Sequence, residues 1–97
     1  MDLFEKTSIK GMSLKNRFFR AATWERLATG TGHMTDKLLE IYENLAKGGV
    51  STIITGYSHV AKDEHPNPNM IGIYEDSFIP EYKKLTDMVH EYKTNII

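Results

Sequence analysis

Apolar positions along the chain follow two rhythms. Leu38, Leu39, Tyr42, Leu45 and Ala46 fall on one stripe at helical spacing and predict a helix over 35–47. Thr35 or Asp36 would cap it, and Gly48-Gly49 would end it. A second stripe, Phe78, Tyr82, Leu85, Val89 and Tyr92, predicts a helix over 77–92. Asp76 or Ser77 is its expected cap, and Pro80 sits in its first turn, where proline does little harm.

Outside the helices the rhythm changes. Residues 17–23 read as a first strand, in which Phe18, Phe19, Ala21 and Ala22 put apolar side chains on both faces. That is the pattern of a parallel strand covered on both sides. Arg20 interrupts it, and its plainest reading is a strand-end side chain reaching water. Residues 50–55, VSTIIT, are β-branched and predict a second strand. Residues 94–97, TNII, begin a third. Two short extended pieces within 1–16, with Gly11 between them, predict a hairpin. Its apolar residues are too few for a sheet of its own, so it should lid something larger. After the hairpin the order is βαβαβ. The right-handed crossover rule makes that a parallel α/β unit.

The connection at 56–75 is the anomaly. It holds Pro66 and Pro68 and is longer than the roughly 12–15 residues tolerated in a structureless loop without a function. It also follows the C-terminal end of a parallel strand, where α/β proteins place ligand sites. The other anomaly is the end of the chain. Ile96-Ile97 closes the most apolar stretch of strand three with no turn, and a βαβαβ unit exposes strand edges. The expectation is part of a larger α/β protein, or a module that needs a partner.

Composition removes several classes. In 97 residues there are 12 Lys and Arg against 13 Asp and Glu, a net charge of −1. No basic block or basic–aromatic interleaving offers a nucleic-acid surface. No apolar run approaches a membrane span, and the first residues, MDLFEKTS, lack a signal-peptide pattern. With no cysteine there is no disulfide, thiolate ligand or cysteine nucleophile. A cytoplasmic protein is expected.

Candidate chemistry is sparse. His33, His59, His65 and His90 share no ligand spacing and read as scattered surface or loop residues, so no metal site is expected. Asp63-Glu64 and Glu75-Asp76 read as loop-solvating and helix-capping pairs. The glycines at 30 and 32 make no phosphate-cradling motif. The strand ends are the better lead. Ala21, Ala22 and Thr23 are small, so a flat ligand can approach the backbone, with peptide N–H groups and the Thr23 hydroxyl available to its polar edges. Gly56 occupies the matching point after strand two. Equally, these small residues can be packing under a neighbouring helix.

The arrangement as a whole resembles the Old Yellow Enzyme family, the FMN-dependent NADH:flavin oxidoreductases and ene-reductases built on a TIM barrel. The resemblance runs through LKNRFFRAATWE at 14–25, TGTGHMT at 29–35, YENLAKGGVSTIITGY at 42–57 and VHEYKTNII at 89–97. LKNR and KGGVSTIITG are its most specific pieces. It implies an N-terminal hairpin plus the βαβαβ portion of a TIM (β/α)8 barrel, incomplete. The hairpin would close the barrel's bottom. Ala21, Ala22, Thr23 and Trp24 would contact FMN after strand one, and Gly56 and Tyr57 after strand two. Trp24 falls where the family's flavin-tuning Thr or Cys stands, with Thr23 one before it. Ala22 stands where many members have proline.

The implied reaction passes hydride from NADH or NADPH through FMN to an electron-poor acceptor such as an α,β-unsaturated carbonyl. The family's substrate-anchoring and phosphate-binding residues would fall past Ile97, so no catalytic residue is expected within this segment. The alternative is a stand-alone, non-enzymatic α/β module that self-associates through its open strand edges.

Overall fold

The computed structural model describes residues 2–97. The chain opens with an antiparallel hairpin, β1 (Thr7–Ile9) and β2 (Met12–Leu14), in which Thr7 faces Leu14 and Ile9 faces Met12. Lys10 and Gly11 both take positive φ, 43° and 86°. Two left-handed residues in succession make the turn whose twist suits a two-residue hairpin.

Three strands then form a parallel sheet in sequence order: β3 (Phe19–Arg20), β4 (Thr52–Ile53) and, last in the chain, β7 (Asn95–Ile96). One register row joins Phe19, Thr52 and Asn95, and the next joins Arg20, Ile53 and Ile96. Successive residues of a strand face opposite sides. The second row faces the helices, where Ile53 is fully buried and Ile96 packs on the same cluster.

Helix α1 (Asp36–Lys47) begins on Thr35, whose Oγ1 accepts the Leu38 N–H at 3.2 Å, and ends at Gly48. It buries Leu38, Tyr42 and Ala46, a narrower set than the stripe of five, because Leu39 and Leu45 lie on the flanks. Helix α2 (Ile79–Glu91) buries Leu85 and Val89 against the same cluster. A short 3-10 turn, Asp76–Phe78, leads directly into it, so the cap falls on Glu75, in extended conformation, and not on Asp76 or Ser77. Glu75 makes no side-chain cap hydrogen bond, and Phe78, in the 3-10 turn, is 1% exposed.

The hairpin sits at the N-terminal end of the sheet, against the face the helices leave bare. The Asn95 Nδ2 donates to the Ser13 carbonyl at 2.8 Å. Lys15 Nζ donates to the Tyr92 carbonyl at 2.8 Å and to Thr94 Oγ1 at 3.0 Å. Asn16, 7% exposed, donates to the Gly49 carbonyl at 2.6 Å and accepts the Phe18 N–H at 3.0 Å.

The segment 56–75 is not structureless. Ser58–His59 (β5) pairs in parallel with Ile71–Gly72 (β6), and His59, Met70, Ile71 and Gly72 are buried. Gly72 N–H also donates to the Gly32 carbonyl at 2.9 Å, and Ala28 N–H to the Asn69 carbonyl at 3.1 Å. The segment is therefore tied to the loop that follows β3. Neither strand has an alternating pattern, which is why the sequence reads there as loop.

Two core hydroxyls make stability sensitive to alkali. Tyr42 and Tyr82 both have pKa values raised above the ordinary 10.0, first of all by burial. The unfolded chain would ionise first, so the stability these phenols confer is full below pH 10.0 and is lost as pH climbs through their folded values. Lys15 acts oppositely: burial lowers its pKa below 10.5, so its contribution grows as pH approaches that value. Tyr82→Phe loses the hydrogen bond to the Gly72 carbonyl (3.0 Å) but also removes one alkaline titration. We expect urea unfolding across pH 7–11 to show lower stability at neutral pH and a shallower alkaline decline than the parent protein.

Candidate functional site

The C-terminal ends of the parallel strands bring the six residues singled out from the sequence into one neighbourhood. Ala21, Ala22, Thr23 and Trp24 leave the top of β3 exposed to solvent. Neither alanine lies under a helix. Among the described residues their peptide N–H groups take part in no backbone–backbone hydrogen bond. Thr23 Oγ1 donates locally, to the Ala21 carbonyl at 3.1 Å. Ala21 follows Phe19 on the sheet face the helices do not cover, beside Ile54 and Ile97.

Gly56 differs from the alanines: it is buried. A side-chain carbon there would stand 2.7 Å from the Thr23 carbonyl oxygen and 3.2 Å from Glu25 Oε2. Its smallness is thus required by the close approach of the two strand ends. Its N–H donates to the Tyr42 hydroxyl at 3.1 Å, so α1 holds the same point from below.

Trp24 and Tyr57 both point their polar tips at the segment 60–70. The Trp24 indole N–H donates to the Pro68 carbonyl at 3.2 Å. Asn67 Nδ2 donates to the Tyr57 hydroxyl. The two rings line a narrow cleft with Met70 and Ile71, whose free volume of about 10 Å³ holds no more than a water molecule. These aromatics form a wall, and the open ground lies over Ala21 and Ala22.

The sequence reading missed the support beneath this ground. Arg20 is turned largely away from water. Its Nη2 pairs with Glu25 Oε1, with side-chain exposures of 15% and 8%, and its guanidinium carbon lies 5.8 Å from the centre of the Tyr42 ring. The only sequence signal was an Arg and a Glu at either end of a small-residue stretch. The histidines are also not all scattered. His33 stacks on Phe78 at 4.5 Å, Phe78 meets Tyr74 at 4.8 Å, Tyr74 meets His59 at 5.0 Å, and His59 meets His65 at 5.3 Å. His33 Nδ1 is 2.6 Å from Glu81 Oε2, and Glu81 Oε1 accepts the Met34 N–H at 2.7 Å. This row packs the post-strand loops onto α2. Among the described residues no group of three or more His, Asp or Glu side chains is placed to hold a metal ion, and no helix is long and apolar enough to cross a membrane.

A hairpin below three in-order parallel strands, with helices on one face and small exposed residues at the strand tops, is the architecture of part of a TIM (β/α)8 barrel. The chain matches the NADH:flavin oxidoreductase / NADH oxidase family over residues 2–97, and belongs to it. The Old Yellow Enzyme of a Pichia species superposes with a TM-score of 0.87 at 26% identity, over 97% of this chain and 24% of that one. The Old Yellow Enzyme of Trypanosoma cruzi does so with a TM-score of 0.86 at 28% identity, over 98% of this chain and 25% of that one. An N,N-dimethylglycine/sarcosine dehydrogenase of Chromohalobacter salexigens is 31% identical over 98% of this chain and 14% of its own length. The chain therefore spans a minor part of each of these relatives.

Gly56→Ala forces the Thr23 carbonyl and the strand ends apart, and backbone cannot yield as a flexible side chain can. We expect a loss of about 1–3 kcal/mol in urea unfolding, the usual cost of overpacking. Gly30→Ala, with nothing within 4 Å of the added carbon, is the control and should change stability little.

Proposed function

We propose that this chain forms part of an FMN-dependent oxidoreductase that passes hydride from NAD(P)H, by way of the flavin, to an electron-poor acceptor such as an α,β-unsaturated carbonyl. Membership of the family supports the reading. The observation that carries it is the exposed ground over Ala21 and Ala22 at the C-terminal ends of parallel strands, where barrel enzymes assemble their sites.

The residues present fit a flat ring. Ala21 and Ala22 have no side-chain bulk beyond a methyl, so an isoalloxazine edge can lie close to the main chain. Their N–H groups, and that of Thr23, are free of backbone partners among the described residues and can donate to ring oxygens and nitrogens. The Thr23 hydroxyl, donating to the Ala21 carbonyl, keeps lone pairs that can accept from a ring N–H. Trp24 and Tyr57 would bound the ring on one side, fixed by Pro68 and Asn67. Gly56 acts from beneath, by letting the two strand ends meet. FMN, when bound, supplies the two-electron hydride chemistry, and these groups supply position and electrostatics.

The test uses the complete protein. Purified material should show flavin absorbance and oxidise NADH or NADPH with cyclohexenone as acceptor. Ala22→Trp should fill the ground over the strand end and weaken FMN binding by about tenfold or more, a loss of some 1.4 kcal/mol, with far-UV circular dichroism unchanged. Normal flavin content in that variant would refute the placement at Ala22. A wild-type protein that is colourless, does not bind added FMN and self-associates would refute the oxidoreductase reading and favour a module working through its strand edges.

A further inference from the structure

Arg20 and Glu25 stand at the two ends of the exposed stretch 21–24, and their side chains meet beneath it. The four residues between them have no backbone–backbone hydrogen bond from their N–H groups among the described residues. Something else must hold them in one shape. The Trp24 indole ties one point to Pro68. The Thr23 hydroxyl bonds within the stretch, to the Ala21 carbonyl, and Arg26 lies over the Trp24 ring; the restraint that joins its two ends is the ion pair, which closes the stretch into a short loop.

The pair is seated rather than floating. The Arg20 Nη1 reaches the Ile54 carbonyl at 3.5 Å, at the point where the β3–β4 ladder stops. Its guanidinium covers the Tyr42 ring, and the Tyr42 hydroxyl accepts the Gly56 N–H at 3.1 Å. The other carboxylate oxygen, Glu25 Oε2, lies 3.2 Å from where a Gly56 side chain would begin. One planar fork therefore faces the carboxylate and the last strand carbonyl together, as an arginine can and a lysine's point charge cannot.

We propose that Arg20 and Glu25 are positioning residues: their buried pair sets the shape of the 21–24 loop and so the geometry of the ground offered to FMN. The proposal rests on the flavin reading only for its second half. Trp24, the chain's single tryptophan, sits inside the loop and reports on its shape without any flavin.

The experiment compares the wild type with Glu25→Gln, Arg20→Met, Arg20→Lys and Asp87→Asn, the last breaking the exposed Lys83–Asp87 pair as a control. In the flavin-free chain, Glu25→Gln and Arg20→Met should raise acrylamide quenching of Trp24 while far-UV circular dichroism is retained. Arg20→Lys should restore only part of the protection, and Asp87→Asn should match the wild type. In the complete protein the same two variants should bind FMN about tenfold more weakly and alter the visible circular dichroism of the bound flavin. Unchanged Trp24 quenching in Glu25→Gln overturns the clamp whatever the flavin does. Raised quenching with wild-type FMN affinity and visible spectrum overturns the link to the cofactor. If Arg20→Met fails to fold, Glu25→Gln and Arg20→Lys decide the matter by the same readings. A wild-type protein that binds no FMN refutes the flavin reading and leaves the Trp24 result to stand or fall alone.

Discussion

A parallel sheet covered by helices on one face only is the constraint from which the rest of this structure follows. Parallel strands are ordinarily covered on both sides. Here α1 and α2 seal one face around Ile53, Tyr42, Leu85 and Val89, each 1% exposed or less. The other face is covered only at its lower end, by the hairpin and its hydrogen bonds from Lys15, Asn16 and Asn95. Phe19, beside the hairpin, is still 40% exposed, and Ile97, beyond it, is 63% exposed. Both edges of the three-stranded ladder, on β3 and on β7, are open among the described residues. In a barrel that bare face points inward and those edges find neighbours. The site at the strand tops inherits this geometry: the same lack of cover that exposes Phe19 and Ile97 also exposes Ala21 and Ala22.

Much of this was legible in the residues. The helix stripes marked Leu38, Tyr42, Ala46, Leu85 and Val89 correctly because burial on one face imposes a 3.6-residue period. Gly11 marked the hairpin because its turn needs a left-handed backbone. The tight Gly48-Gly49 connection marked the parallel crossover because so short a link must fold the helix back on its strands. What could not be read was non-local. The β5–β6 pair joins residues more than ten apart with no alternating pattern, and its register is set by Gly32, Gly72 and the buried His59 fitting against one another. The His33–Phe78–Tyr74–His59–His65 row likewise draws on three separate segments.

The candidate site divides in the same way. Smallness at Ala21 and Ala22 was visible and has the significance of open ground. Smallness at Gly56 was visible too, but its cause is different: the Thr23 carbonyl occupies the place where a side chain would go. Equal-looking small residues thus do opposite jobs, one kind leaving the strand end open to solvent and the other letting two backbones touch. Only the third dimension separates them.

Arg20 shows why the polar exception in an apolar strand is informative. Burying an ion pair gains little over well-packed apolar residues of like volume, whereas removing one partner costs about 3–5 kcal/mol. Stability alone therefore gives no reason to place a charge at this position. Direction does. An apolar side chain at position 20 would fill the space over Tyr42, but it would leave the Ile54 carbonyl and the Glu25 carboxylate without a common partner. The stretch 21–24 has no backbone hydrogen bond from its own N–H groups among the described residues, so side chains define it. A fork that engages the last strand carbonyl and the far end of the stretch together converts a loose connection into a defined surface. It does so from below and leaves the 21–24 stretch exposed, with its N–H groups free of backbone partners among the described residues.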